Sequence, residues 1–268
     1  MKAALLSLLL CLALPLQAAE GRTYTPGPFD GIEIGGAADV HITQGDSEQV
    51  FVEGDADAQK TVSLSVRNGV LRVDSSGSWK FWNAQRMKLH VTLRQLTRLS
   101  ISGAADVKAS EALRVERLRV TISGAGLARF DNLQAEQLVF TVSGAGDGQV
   151  AGRVQDLNVS ISGKSDFQGE QLMARRARVS VSGIGDVKVW AVDDLTISVA
   201  GIGSVDYWGT PTVRRSTSGL ATVNDRGSKP APPAPPAPPA PPSPSWPPAD
   251  ARPAAAPSPT AEPRPVSR

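Results

Sequence analysis

The dipeptide Ser-Gly recurs at Ser102-Gly103, Ser123-Gly124, Ser143-Gly144, Ser162-Gly163, Ser182-Gly183 and Ser218-Gly219. Ala200-Gly201 fills the one gap, so the glycines are spaced 21, 20, 19, 20, 18 and 18 residues apart. A unit that short cannot bury a face by itself and must stack on its neighbours. Aligned on the glycine, positions two, four and six before it are apolar in five successive copies: Leu118, Val120 and Ile122; Leu138, Phe140 and Val142; Leu157, Val159 and Ile161; Ala177, Val179 and Val181; Leu195, Ile197 and Val199. Strict period two marks a strand with one buried face.

Two further alternating pairs fill the rest of each period. Val107 and Ala109, Ala128 and Phe130, Val187 and Val189, and Val205 and Tyr207 follow the glycine; Leu113 and Val115, Leu133 and Ala135, Leu172 and Ala174, and Trp190 and Val192 come later. Three short strands per period, with no room for a helix, predict an all-β, single-domain parallel β-solenoid (β-helix) of about 20 residues per coil, rising about 4.8 Å per coil. An antiparallel sandwich also has short strands at regular spacing. It does not, however, repeat one turn at a fixed period, and its two-residue hairpin signals are nearly missing here. The good hairpin candidate is Asn68-Gly69, between Val62, Leu64, Val66 and Leu71, Val73, in a less regular N-terminal part. There Ile32, Ile34, Gly36, Asp39, Val40 and Ile42 match the pattern around Gly103, which places the start of the first coil near Phe29. At the other end the inward positions decay to Val213, Arg215 and Thr217, as expected where a stack must stop without leaving an apolar edge in water.

The ends have a different composition. Met1 to Ala19 has one early charge at Lys2, an apolar run from Ala3 to Leu14, Pro15 and the small pair Ala18-Ala19, and reads as a signal peptide, residues 1–19. The run is too short to span a bilayer. Cys11 is the one cysteine, and Leu8, Leu9 and Leu10 before it do not suit lipoprotein processing, so the mature chain is expected to lack thiols and disulfides. Of the 21 prolines, 17 follow Lys229; residues 229–268 read as a Pro/Ala-rich tail, disordered or a polyproline II spacer. This leaves one domain, residues 20–228, with 23 basic and 24 acidic residues. A neutral body argues against nucleic acid as a partner.

The ordered series Phe29, Ile32, Gly36, Val40, Ile42, Gln44-Gly45, Val50, Val52, Gly54-Asp55, the Asn68-Gly69-Val70-Leu71 hairpin, and the Ser-Gly-Ala-Ala-Asp-Val and Ser-Gly-Ile-Gly-Asp-Val turns resembles the bacterial head GIN domain family, labelled auto-transporter adhesins. The resemblance runs from about Phe29 to Asn224 and implies a secreted or envelope β-solenoid. It brings no catalytic residues. The sequence departs from the pattern at Leu127, Ser204 and Thr222, which lack the turn Asp, and at Ala200, which replaces the Ser.

Candidate chemistry is sparse. Asp147, Asp166 and Asp186 each sit three residues after a turn glycine in consecutive coils, so stacking spaces them about 4.8 Å apart. Such a ladder suits calcium, which takes several oxygens, or an acid pair near the spacing of retaining glycosidases, or Asp side chains that accept hydrogen bonds from their own turn's amides. The histidines, His41 and His90, lie between inward apolar neighbours and are expected outside. Trp79, Lys80, Phe81 and Trp82, in a polar segment that interrupts the repeat, form a candidate binding loop for sugar rings or a partner protein, or else cover an end of the solenoid. The expectation is an exported, periplasmic or cell-surface, non-enzymatic binding, adhesion or scaffold module. No cofactor and no metal site are expected. Its partner is expected to be a polysaccharide or an envelope protein, homo-oligomers stay open, and the alternative is a carbohydrate-active enzyme on a β-helix scaffold.

Overall fold

The computed structural model describes residues 21–54, 59, 62–75 and 87–230. From β9 (Ala104–Ile122) onward, β10 (Ala125–Val142), β11 (Ala145–Ile161), β12 (Phe167–Val181) and β13 (Val187–Val199) stack in parallel. They are followed by β14 (Ile202–Trp208), β15 (Thr212–Thr217) and β16 (Leu220–Asp225), again parallel. This is a β-solenoid of about six turns with about 20 residues per turn. The glycine spacings are the register itself. Val107 pairs with Ala128, Ala128 with Gly148, Gly148 with Phe167, Phe167 with Val187, Val187 with Val205, and Val205 with Val223. Ile122, Val142, Ile161, Val181 and Val199 form one column of successive partners, each at most 2% exposed. The parallel ladder sets aside the sandwich.

From β9 to β13 the expected three short strands per coil are instead one long strand broken at the Ser-Gly corner, and the last coil is two strands, β14 and β15. In β9 the buried alternation slips at Ser110–Ala112 and again at Glu116–Arg117 while the strand continues, because a bulge can bend a strand without ending its ladder. A second difference is Val192, expected inward with Trp190. Trp190 and Ala191 are buried and Val192 is 38% exposed. Gly169 still pairs with Val189, but Met173 already pairs with Trp190, so this 18-residue coil takes up its shortening here and the alternation changes phase.

The Ser-Gly corner has a packing cause. A Cβ on Gly124, Gly144, Gly163, Gly183 or Gly201 would lie 1.9 to 2.1 Å from the carbonyl oxygen of the corner glycine one coil earlier. No side chain fits between backbones that close. The serine hydroxyl donates across coils: Ser102 Oγ to the Ile34 carbonyl, Ser162 Oγ to Val142 and Ser182 Oγ to Ile161, at 3.2 to 3.4 Å.

The N-terminal part completes the stack out of chain order. β2 (Gly31–Ile34) and β3 (Ala37–Gln44) pair in parallel with β8 (Arg98–Ile101) and with β9, so the coil that starts near Phe29 stacks directly on the one containing Gly103. On its other side lie β6 (Val70–Ser75), parallel to β2, and β7 (Met87–Leu93), parallel to β3. Antiparallel strands finish this end: β5 (Val62–Arg67) against β6, and β4 (Gln49–Glu53) against β7, with β1 (Gly21–Tyr24) outside β4. Asn68 and Gly69 join β5 to β6 with φ of 53° and 74°, two left-handed residues in a row as a type I′ hairpin requires.

At the other end the inward positions of β15 are Val213, Arg215 and Thr217, opposite Leu195, Ile197 and Val199, and Arg215 and Thr217 are exposed. Polar groups thus close the last coil. Among the described residues no helix is long and apolar enough to cross a membrane.

Candidate binding surfaces

The aspartate ladder forms, with different donors from those expected. The Asp147 Oδ1 accepts the Asp166 amide at 3.0 Å, Asp166 Oδ1 accepts the Asp186 amide at 3.0 Å, and Asp186 Oδ1 accepts both the amide and the hydroxyl of Ser204 at 2.9 and 2.6 Å. Asp106 does the same for the Leu127 amide at 3.2 Å. The carboxylates of Asp147, Asp166 and Asp186 therefore serve the next coil's backbone and not their own turn's. Asp166 and Asp186 lie in the gap between the corner and the following strand, where the regular ladder is interrupted, so the side chain replaces a missing backbone acceptor. Two of the departures are explained too: Leu127 and Ser204 donate to the aspartate one coil earlier. Among the described residues no group of three or more His, Cys, Asp or Glu is placed to hold a metal ion.

A different side of the solenoid carries the opposite charge. Between the buried residues of β8, the ends of β9 to β13, and β15, the outward side chains form straight columns. One is all hydroxyls: Ser100, Thr121, Thr141, Ser160, Ser180, Ser198 and Ser216, each the register partner of the next. Beside it run Arg98, Arg119, Val139, Asn158, Arg178, Thr196 and Arg214, and then Arg117, Gln137, Asp156, Arg176, Asp194 and Thr212. With Arg67, Arg72, Glu33 and Asp74 from the strands stacked above, and Glu116 beside Arg117, this side holds eight arginines against five acids, Glu33, Asp74, Glu116, Asp156 and Asp194.

Some of these charges are paired. Arg176 grips Asp156 through two hydrogen bonds of 2.6 and 2.8 Å, which hold the Asp156 carboxyl below its ordinary value against a smaller upward push from burial. Arg72 meets Glu33 at 3.2 Å, and Arg117 meets Glu116 and Arg214 meets Asp194 at 3.7 Å each. Among the described residues Arg67, Arg98, Arg119 and Arg178 form no ion pair. At the N-terminal end the side opens into a groove of about 490 Å³ lined by Glu33, Arg67, Asn68, Val70, Arg72, Arg98 and Ser100.

Trp79, Lys80, Phe81 and Trp82 lie outside the described residues, as do Met1–Ala19 and the chain beyond Pro230. The ends of the aromatic segment are nonetheless placed. Val73 of β6 pairs with Ile34 and Met87 of β7 with Ala38. His41 and His90 are exposed, as expected, and their rings stack with centroids 5.2 Å apart.

Three features were not anticipated. The arginines at 98, 119, 178 and 214 all stand five residues before a corner glycine, a periodicity visible in the sequence but lost when charge is summed over the chain. The residue after the corner glycine changes from alanine or lysine to Ile184, Ile202 and Leu220, which stack as an exposed aliphatic ridge. At the C-terminal end the Lys229 ammonium donates to the Glu170 carbonyl at 2.7 Å and lies 5.4 and 5.8 Å from the ring centres of Trp190 and Trp208.

The family profile described as "Putative auto-transporter adhesin, head GIN domain" matches residues 28–211. Among solved structures, an adhesin-like protein from Bacteroides fragilis superposes with a TM-score of 0.74 at 24% identity, covering 79% of this chain and 98% of the other. Two from Parabacteroides distasonis, one described as an adhesin and one as a lipid binding protein, give TM-scores of 0.59 and 0.58 at 20% and 19% identity, each covering 78% of this chain and 97% of theirs. At these identities the likeness is one of fold. No curated protein matches. A profile that covers the repeat from its first coil to the last full one, on a solenoid shared with these structures, places the chain in the head GIN domain family of auto-transporter adhesins.

Proposed function

We propose that the chain is an exported, non-enzymatic binding module of the cell envelope that acts through the outside of its coils and through the Trp79–Trp82 segment. One observation carries this reading: outward side chains repeat in straight columns over successive coils, forming long, open strand faces suited to extended contact. The family and its structural relatives, adhesin-like by description, support the same reading. The aromatic segment adds to it. Residues 76–86 separate β6 from β7 in sequence, where Gly35 and Gly36 alone separate β2 from β3, and insertions of that kind on repeat proteins commonly bind. Trp79, Phe81 and Trp82 would stack on sugar rings or a partner protein, with Lys80 donating to hydroxyls or a carboxylate.

A glycan array probed with the exported chain tests the proposal. Binding to an envelope polysaccharide, weakened in Trp79→Ala/Trp82→Ala at unchanged melting temperature, is the expected result. Absence of any envelope ligand, or a large loss of stability in the double variant, overturns the binding role or the segment's part in it. Mass spectrometry of the exported material should show a mature chain that begins near Glu20 and contains no thiol.

A further inference from the structure

We propose that the arginine-bearing side of the solenoid is the docking surface for a linear anionic polysaccharide, such as a polyuronate, lying along the solenoid axis. The inference rests on the binding role above and names its ligand class and its surface. Four properties of the side point to this occupant.

The first is charge. Eight arginines face five acids on a single side of a body that holds 23 basic and 24 acidic residues in all, so the surface is basic although the body is not. The second is unspent pairing capacity. Arg98 and Arg119 are register partners one coil apart, and neither has an ion pair among the described residues. Two like charges held about one strand spacing apart repel, and an anion between them relieves that repulsion. A guanidinium offers a carboxylate two parallel hydrogen bonds. Arg67 and Arg72 join Arg98 around the groove at the N-terminal end, where an acidic group at one end of a polymer can seat.

The third is the partner chemistry beside the arginines. The hydroxyl column and the carboxamides of Gln137 and Asn158 can donate to and accept from sugar hydroxyls. Asp156 and Asp194 stand among the arginines as acceptors. Carboxylates in that place suit a polymer that carries hydroxyl donors between its acidic groups. They oppose a polyphosphate backbone, and among the described residues no exposed aromatic interleaves with the arginines to stack bases. The fourth is period. The chemistry repeats at each coil, about 4.8 Å, and the hydroxyl column covers about 29 Å over its six intervals. A linear polymer along the axis meets one hydroxyl per coil and an arginine at intervals, and gains affinity from many weak contacts with no deep pocket.

The test uses the full chain with polygalacturonate as probe, neutral dextran, duplex DNA and anionic lipid vesicles as comparisons, and isothermal titration at low and high salt. Polygalacturonate should bind, weaken as salt rises, and raise the melting temperature by linkage. Arg98→Ser/Arg119→Ser should lose at least about tenfold in affinity, Arg98→Lys/Arg119→Lys should recover part of it, and Arg129→Ser on another side should match the parent. Equal affinity in Arg98→Ser/Arg119→Ser, or equal binding of dextran, overturns the inference. So does tighter binding of DNA or vesicles than of polygalacturonate. The two failures are separable. If polygalacturonate is ignored while a glycan on the array binds through Trp79 and Trp82, the binding role stands and this surface assignment falls; if no envelope ligand binds at all, both fall.

Discussion

Replacing Gly163 by alanine tests the packing argument at its tightest point. The new Cβ would sit 1.9 Å from the Gly144 carbonyl oxygen, and that same oxygen accepts the Lys164 amide at 3.1 Å. Ordinary carbon–oxygen contact needs about 3.3 Å, so the two coils must part by about 1.4 Å at this corner. Parting by that amount stretches the Lys164 hydrogen bond beyond any useful length and strains the Ser162 amide bond to Val142, now 2.8 Å. The lost hydrogen bond costs about 1 kcal/mol and the overpacking about 1–3 kcal/mol. At about 2–4 °C per kcal/mol for a domain of this size, the melting temperature should fall by roughly 4–16 °C. Circular dichroism melts of parent, Gly163→Ala and Lys164→Ala would measure this, Lys164 being an outward residue of the same turn. A Gly163→Ala melt within 1 °C or so of the parent would refute the close stacking of the corners.

Three further outcomes follow from the same coordinates. Ile161→Asp, in the middle of the buried column, should lower stability by at least about 3 kcal/mol in denaturant titration, since it places an unpaired charge between Val142 and Val181. Asp166→Ala should cost about 1 kcal/mol by leaving the Asp186 amide without its acceptor, whereas Asp166→Asn keeps an oxygen there and should cost less. Calcium should not move either melt; a calcium-dependent rise lost in Asp166→Ala would assign the ladder to metal. Finally, burial pushes the Asp206 carboxyl upward, but hydrogen bonds from Arg226 and Asn224 and the charges of Arg226 and Lys188 outweigh it and hold it below its ordinary 3.8. Its stabilising contribution is therefore full above that value and lost as pH falls through the lowered native one. Acid melts should show Arg226→Gln losing stability relative to parent at neutral pH, with the gap closing in strong acid.

The repeat was legible because one corner accepts only a small residue followed by glycine, and because period two survives in five copies. The spacing of those corners became the register without adjustment, from Ile122 through Val199. What was hidden is what a period cannot encode. Bulges carry β9 around its corners with no glycine or proline to mark them, so strand continuity left no trace. Val192 changed face because a coil shortened in its middle, while the alignment was anchored at its end. The aspartates looked like turn residues, and their donors across the coil boundary emerged only with the stack. Net charge misled most: it averages the side bearing Arg98 and Arg119 with the side bearing Asp147 and Asp166, and only the fold separates them.

The seat of Lys229 on Trp190 and Trp208 determines how the protein responds to force. A pull on the chain at Pro230 is met first at that clamp and next by β16, which is held by its hydrogen bonds to β14. Behind β16 each coil presents the same kind of seam to the load. Tension would be released in steps, each freeing one coil of 18 to 21 residues and lengthening the tether by roughly 60–70 Å. A solenoid loaded from this end behaves as a shock absorber, yielding in instalments while its remaining coils keep their grip.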